Sequence, residues 1–311
     1  MILKNLKTFY KNLTSISNDD SINNLAIFFK ENKGKLSILS GAGISTASGI
    51  PDYRGINGVY KTNKSYKSIL YNEFVSHHHI RQRYWARSFF GWKNIYSAKP
   101  NETHFAIKEL QSLGYIQDVI TQNVDGLLQA AGTQNVLELH GTLHEVHCLK
   151  CGFKKRRPDY QEILMNLNPK WVEFSKILEM SKANPKTNPD GDIELPSNIT
   201  YENFNYPSCE QCESGLYKPS VVFFGENIRP EVRKKSTEII LRNKILMVVG
   251  STLTTYSAYR LVFLAKELGS HVIILNLGKT RGDALARLKI ERSSEEILSV
   301  LTNRLNIQQN L

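Results

Sequence analysis

The chain has 311 residues, 41% apolar and 22% charged, enough for a large lobe and a smaller one and the balance of a soluble globular protein. No apolar run approaches the roughly 18 residues a spanning helix needs, so no membrane-spanning segment is expected. The formal net charge of +11 attracts polyanions, but the basic residues are scattered and the densest run is Lys154–Arg157, which reads as a solvated basic face, also suited to an anionic dinucleotide, rather than a nucleic-acid surface.

Met1–Ser17 lacks acidic residues, carries Lys4, Lys7 and Lys11, and places Leu3, Leu6, Tyr10 and Leu13 at helical spacing. It reads either as a mitochondrial presequence without arginine or as an ordinary amphipathic first helix. Four apolar runs then read as buried strands, each ending in a polar or glycine-bearing loop. Leu36–Ser40 precedes Gly41-Ala42-Gly43, and Ile116–Thr121 precedes Gln122-Asn123-Val124-Asp125. Ile245–Val249 precedes Gly250-Ser251-Thr252, and Val272–Leu275 precedes Asn276-Leu277-Gly278. Helical patterns at Thr103–Leu113 and Tyr259–Leu268 lie between them. This alternation predicts an α/β fold with a doubly wound parallel sheet. Ligands in such sheets bind beyond the carboxyl ends of the strands, so the four loops are expected to form one site.

The rhythm fails between about Glu145 and Lys218. That stretch carries the Asn/Pro-rich segment Ala183–Pro207 and all four cysteines, Cys148, Cys151, Cys209 and Cys212. Two C-x-x-C pairs with none left over supply the four thiolates of a closed, structural Zn²⁺ site. His144 and His147 are rival ligands that a four-cysteine shell does not need. The aromatic, basic stretch Ile80–Arg87 reads as helix within a second insertion, about 56–100. Tyr84, Trp85 and Trp92 read as core, and His77-His78-His79 as a solvated turn rather than a metal site. The expected division is a discontinuous large domain, 20–144 and 218–305, a small zinc lobe, 145–217, and an N-terminal extension, 1–19.

The first glycine loop, Gly41-Ala-Gly-Ile-Ser-Thr-Ala-Ser-Gly-Ile-Pro-Asp-Tyr-Arg-Gly55, departs from a strict G-x-G-x-x-G fingerprint because Thr46 holds the third glycine position. As a longer string it resembles the first signature of the sirtuin family. Thr121-Gln-Asn-Val-Asp-Gly126, Leu137-Glu-Leu-His-Gly141, Lys218-Pro-Ser-Val-Val-Phe-Phe-Gly-Glu226, Gly250-Ser-Thr252 and Asn276-Leu-Gly278 resemble the remaining ones, in order, across Leu36 to Leu298. Ile80–Arg87 with Gly91-Trp92, Asn168–Trp171, Pro189–Asp192 and Ile274–Arg281 resemble the class II, sirtuin-four, mitochondrial branch.

The resemblance implies a Rossmann-like NAD domain with an inserted zinc lobe and a helical module. It also implies an enzyme that consumes NAD as it removes acyl groups from protein lysines, releasing nicotinamide and O-acyl-ADP-ribose. In that chemistry the acyl oxygen attacks the nicotinamide ribose carbon, and a base then deprotonates a ribose hydroxyl. His140 is the implied base, since histidine titrates near neutrality. Asn123 positions the ribose or a water, Asp125 binds the nicotinamide side and Gln122 lies near the ribose. Asp52, Tyr53 and Arg54 form the cofactor loop. Gly41, Ala42, Gly43, Ser45, Gly250, Ser251 and Thr252 hold phosphates. Asn276, Leu277 and Gly278 contact adenosine, and Ser294 caps the adenine. The segment Val221, Val222, Phe223, Phe224, Gly225, Glu226 reads as an extended strand that pairs with the substrate backbone. Tyr60 is followed by Lys61 and no arginine until Arg81, so a succinyl preference is not expected. The expected partners are acyl-lysine proteins and the expected state is a monomer. The rivals are ADP-ribosyl transfer or lipoyl and biotinyl removal on the same scaffold, a zinc-stabilised nucleic-acid binder and a hydride-transferring dehydrogenase. Localisation follows the N-terminal segment: mitochondrial matrix if it is a presequence, cytoplasm otherwise.

Overall fold

The computed structural model describes residues 19–64, 66–180, 187–196 and 198–307. Most of the N-terminal extension, including Met1–Ser17, and part of Ala183–Pro207 lie outside the described residues.

Six strands form one parallel sheet: β1 (Leu36–Ser40), β2 (Ile116–Thr121), β3 (Val136–Glu138), β7 (Ile245–Val249), β8 (His271–Leu275) and β9 (Leu288–Ile290). Their order is β3-β2-β1-β7-β8-β9, and every pairing is parallel. The alternation of side chains sends Ile245, Met247 and Val249 to one face and Leu246 and Val248 to the other. The first face packs against helices Asp19–Glu31, Glu102–Ser112 and Ser294–Ile307 through Phe29, Ile107 and Leu301. The second packs against Pro230–Arg242 and Tyr256–Glu267 through Ile240, Leu261 and Val262. Burial on both faces explains the unbroken apolar run of β7, while β1 buries Ser37 and Ser40 among its apolar residues. The order reverses direction between β1 and β7, which opens a crevice at their carboxyl ends.

Strands β4 (Gly141–Cys148), β5 (Lys154–Arg156) and β6 (Tyr217–Val221) form a separate antiparallel sheet in the order β5-β4-β6. The small sheet thus begins at Gly141 and ends at Val221, beyond the expected 145–217. Its strands carry no apolar run, because in β4 only Leu143, Val146 and Cys148 are buried and the register shifts between Gly141 and Val146. In β6 the charged Lys218 is fully buried, paired with Glu226 Oε2 at 3.0 Å.

The aromatic helix His78–Ser97 is not an independent module. Phe74, Tyr84, Trp85 and Trp92 share one core with Val146, Tyr160, Leu164 and Tyr217 of the small lobe. Buried Arg87 pairs with Asp192 at 2.7 Å. The two expected insertions are therefore one lobe with one core. The three histidines sit at the exposed start of that helix, His77 as its cap and His78 and His79 in its first turn rather than in a free turn. His78 Nδ1 lies 2.7 Å from Tyr206 Oη.

Candidate active site

A cleft of about 1840 Å³ opens at the carboxyl ends of β1, β2 and β7 and continues under the small lobe. Ala42, Gly43, Ser45, Asp52, Tyr53, Arg54, Gln122, Asn123, Asp125, His140, Gly250, Ser251, Thr252, Asn276, Leu277 and Ser294 all line it. Residues from every expected loop thus converge, although their sequence separations reach 200 and more.

Gly41 and Gly278 are not on the wall. Gly41 N–H donates to the Val249 carbonyl, and a Cβ there would meet Ser251. Gly43 N–H donates to the Gly250 carbonyl at 2.9 Å, and a Cβ on Gly43 would stand 2.8 Å from that oxygen. These two glycines let the β1 and β7 loops touch each other. Gly278 turns with φ of 82°, and the Asn276 amide braces this loop by donating to the Leu277 and Gly278 carbonyls. Asp52 and Arg54 make no ion pair with each other. Asp52 Oδ1 accepts from Gly55 N–H at 2.7 Å, and the Arg54 guanidinium lies 4.8 Å from the centre of the Tyr60 ring. Ser294 Oγ is 2.9 Å from Thr103 Oγ1, which fixes the start of the last helix at the cleft rim.

A polar network floors the cleft. Ser45 donates to Asp125 Oδ2 at 2.7 Å and accepts from Asn123 Nδ2 at 3.0 Å. Asp125 Oδ1 accepts from Leu127 N–H. His104 stands behind this network with Nε2 3.5 Å from Ser45 Oγ. Its Nδ1 accepts from Asn101 N–H, which leaves the ring proton on Nε2. Burial pushes His104 down to about 4 against the opposing charge of Asp125, so the ring is neutral. His104 is the third residue of the helix capped by Asn101.

His140 is half-buried between β3 and the Tyr256–Glu267 helix. Its Nδ1 lies 3.2 Å from the Gln122 carbonyl, which can only accept, so Nδ1 carries the proton and Nε2 the lone pair. Ser257 Oγ sits 2.7 Å from Nε2. Burial pushes His140 down to about 4, the Gln122 hydrogen bond opposing. The ring is therefore a neutral base at pH 7. The Gln122 side chain ties the neighbouring loops together, donating to Ser251 Oγ at 2.8 Å and accepting from Thr255 Oγ1 at 3.2 Å.

Val221–Glu226 is not one continuous strand. Val221 ends β6, Val222 N–H donates to the His140 carbonyl at 2.8 Å, and Phe224 makes a single parallel bridge to Leu70. Glu226 closes the turn by accepting from Phe223 N–H at 2.8 Å and from Lys218. All six residues line the cleft, so this edge of it is irregular backbone pinned by the Lys218–Glu226 ion pair. The loop Asn188-Pro189-Asp190 of the small lobe also reaches the cleft, which its sequence did not signal. Asp190 Oδ2 accepts from Tyr66 Oη at 2.7 Å, while its buried Oδ1 has no partner among the described residues.

The four cysteine sulfurs lie within 4.8 Å of one another, 3.7 Å apart for Cys148–Cys212 and for Cys151–Cys209. Four sulfurs about 2.3 Å from one ion sit roughly 3.8 Å apart along tetrahedral edges, so the set fits Zn²⁺ and is too wide for disulfides. Lys150 and Cys151 N–H groups point at Cys148 Sγ, as suits a thiolate. His144 Nε2 instead meets the Asp125 carbonyl at 2.7 Å, and His147 Nδ1 meets Ser220 Oγ at 3.0 Å. Neither histidine joins the cysteines.

The Sir2 family model matches residues 41–257. The "NAD-dependent protein deacylase SIR4" of Batrachochytrium dendrobatidis is 48% identical over 290 residues, covering 91% of this chain and 94% of that protein. The "NAD-dependent protein deacylase Sirt4" of Drosophila melanogaster is 38% identical and covers 91% and 87%. A solved Sir2 complex with a p53 peptide and NAD+ is 28% identical with a TM-score of 0.66, covering 90% of this chain and 97% of that one. With a family match over more than half its length and relatives this similar along nearly all of it, the chain belongs to the Sir2 family.

Proposed function

We propose that this protein is an NAD-dependent protein-lysine deacylase with His140 as its general base. The observation that carries this is the state of that ring: neutral, with its Nε2 lone pair facing the Ser257 hydroxyl, in the cleft that the dinucleotide loops and Val221–Glu226 also line. The relatives named above carry the same activity in their names, and one solved Sir2 structure holds both a peptide and NAD+. The dinucleotide supplies an activated ribose carbon from which nicotinamide leaves. Ala42, Gly43 and Gly250–Thr252 would hold its phosphates, and Asn123, Ser45 and Asp125 would orient its nicotinamide end. His140 takes the ribose hydroxyl proton at Nε2. Val222–Gly225 would receive the peptide backbone.

His140→Ala should retain NAD binding and lose at least about a hundredfold in turnover, the scale of general-base catalysis. A panel of acyl-lysine peptides followed by nicotinamide release tests this, and unchanged turnover in the variant would sink the assignment. Mass spectrometry of the products separates O-acyl-ADP-ribose from ADP-ribosylated protein, the rival reaction. Arg81 is committed to Tyr206 Oη and to the Phe74 and Val75 carbonyls and does not line the cleft, so it offers no cation to an acyl carboxylate. Uncharged acyl groups should therefore outpace succinyl in that panel. The acid-free Met1–Ser17 supports a mitochondrial address, testable by fusing that segment to a fluorescent reporter.

A further inference from the structure

His140 keeps one lone pair for chemistry, and a hydroxyl already sits on it. The Gln122 carbonyl fixes the proton on Nδ1, so the 2.7 Å contact at Nε2 must be a donation from Ser257 Oγ–H. Both ring nitrogens are held by one connected unit. Gln122 binds Nδ1 through its backbone, and its side chain accepts from Thr255, two residues before Ser257. While Ser257 donates, Nε2 cannot take a proton from a ribose hydroxyl.

We infer that Ser257 is the positioning residue of His140. It holds the ring in the neutral, Nε2-accepting tautomer, yields that lone pair to a ribose hydroxyl, and then accepts a hydrogen bond from the protonated ring. In the transfer the ribose O–H bond breaks, its electron pair stays on oxygen, and an Nε2–H bond forms. Ser257 then turns its own O–H away and presents a lone pair to that new N–H. A hydroxyl serves both states because it rotates and is both donor and acceptor. An aliphatic side chain serves neither. Ser257 lies 117 positions from His140 and is placed by the start of the Tyr256–Glu267 helix.

This inference rests on the deacylase assignment, and the test separates the two. In the full chain, deacylated peptide and the acyl-peptide-dependent exchange of labelled nicotinamide into NAD are measured side by side. Exchange precedes the proton transfer to His140; deacylation follows it. Ser257→Ala is expected to lower deacylation kcat about tenfold, less than the loss of the base itself, and to leave exchange within about twofold. Ser257→Thr, which keeps the hydroxyl, should restore deacylation. Ser257→Cys, similar in size but a weak hydrogen-bonding partner, should show the same split and serves if the alanine variant does not fold. Equal loss of both activities, loss of neither, or a threonine variant no better than alanine would overturn the role of Ser257. A wild-type chain without acyl-dependent nicotinamide release would instead overturn the deacylase assignment itself, and the inference with it.

Discussion

His140 and Asp190 are displaced in opposite senses by the same cause, burial. For His140 the neutral form is the buried one, so its acid limb should lie near 4 rather than at the 6.5 of an exposed imidazole. The kcat/KM for an acetyl peptide should therefore change less than about twofold between pH 8 and pH 5.5, where an ordinary histidine would cost about tenfold. A limb centred near 6.5 would contradict the placement of the ring. For Asp190, burial first and Asp192 second raise the carboxyl from 3.8 to about 8. The unfolded chain releases this proton near 3.8 and the native chain only near 8. The stability tied to it is thus full below about 4 and drains as pH rises through 8. Asp190→Asn keeps an acceptor for Tyr66 and cannot ionise. Its Tm advantage over the wild type should widen by about 3 °C or more from pH 5.5 to pH 8.5, a shift worth roughly 1 kcal/mol. A pH-independent difference would rule this out. At this scale the sequence showed His140 through the strings around it, but not Ser257, His104 or Asp190. Those three matter through partners 117, 59 and 124 positions away, and no local pattern marks such a pairing.

Strands and loops were legible where burial is uniform. β7 is covered on both faces and is continuously apolar, and β1 and β2 keep enough buried Leu, Ile and Val to be recognised without a partner. The small sheet was not legible because β4 shows one polar face and β6 buries a lysine whose partner, Glu226, comes eight residues later. The glycine loop lies at the cleft, and its glycines also let two loops touch. Gly43 touches the backbone of Gly250, so a methyl group must push the β1 and β7 loops apart by a few tenths of an ångström or more. Gly43→Ala should raise the KM for NAD about tenfold while far-UV circular dichroism stays at the wild-type level, because the contact shapes the crevice and not the sheet. An unchanged KM would show that the two loops yield freely.

Across the whole molecule, the aromatic insertion and the zinc lobe share a core, and this gives the protein a built-in reporter. Its three tryptophans, Trp85, Trp92 and Trp171, all belong to that shared core, and none lies on the parallel sheet. The Arg157 guanidinium, buried between Trp85 and Trp92, ties the aromatic helix to the zinc lobe. The four cysteines close β4 against the turn before β6, so a zinc ion there would fasten the two ends of the inserted chain. Binding free energy at such a site is folding free energy for the lobe that supplies the ligands. The parallel sheet has separate cores on its two faces and should not need the ion. Removing zinc with a strong chelator, or replacing Cys148 by Ser, should therefore red-shift tryptophan emission at temperatures where most of the far-UV helical signal persists. Helix His78–Ser97 should lose amide-exchange protection together with β4 and β6, while β1 and β7 keep theirs. Tryptophan emission that holds until the sheet itself melts would show that the two lobes unfold as one unit and that their separate cores do not confer separate stability.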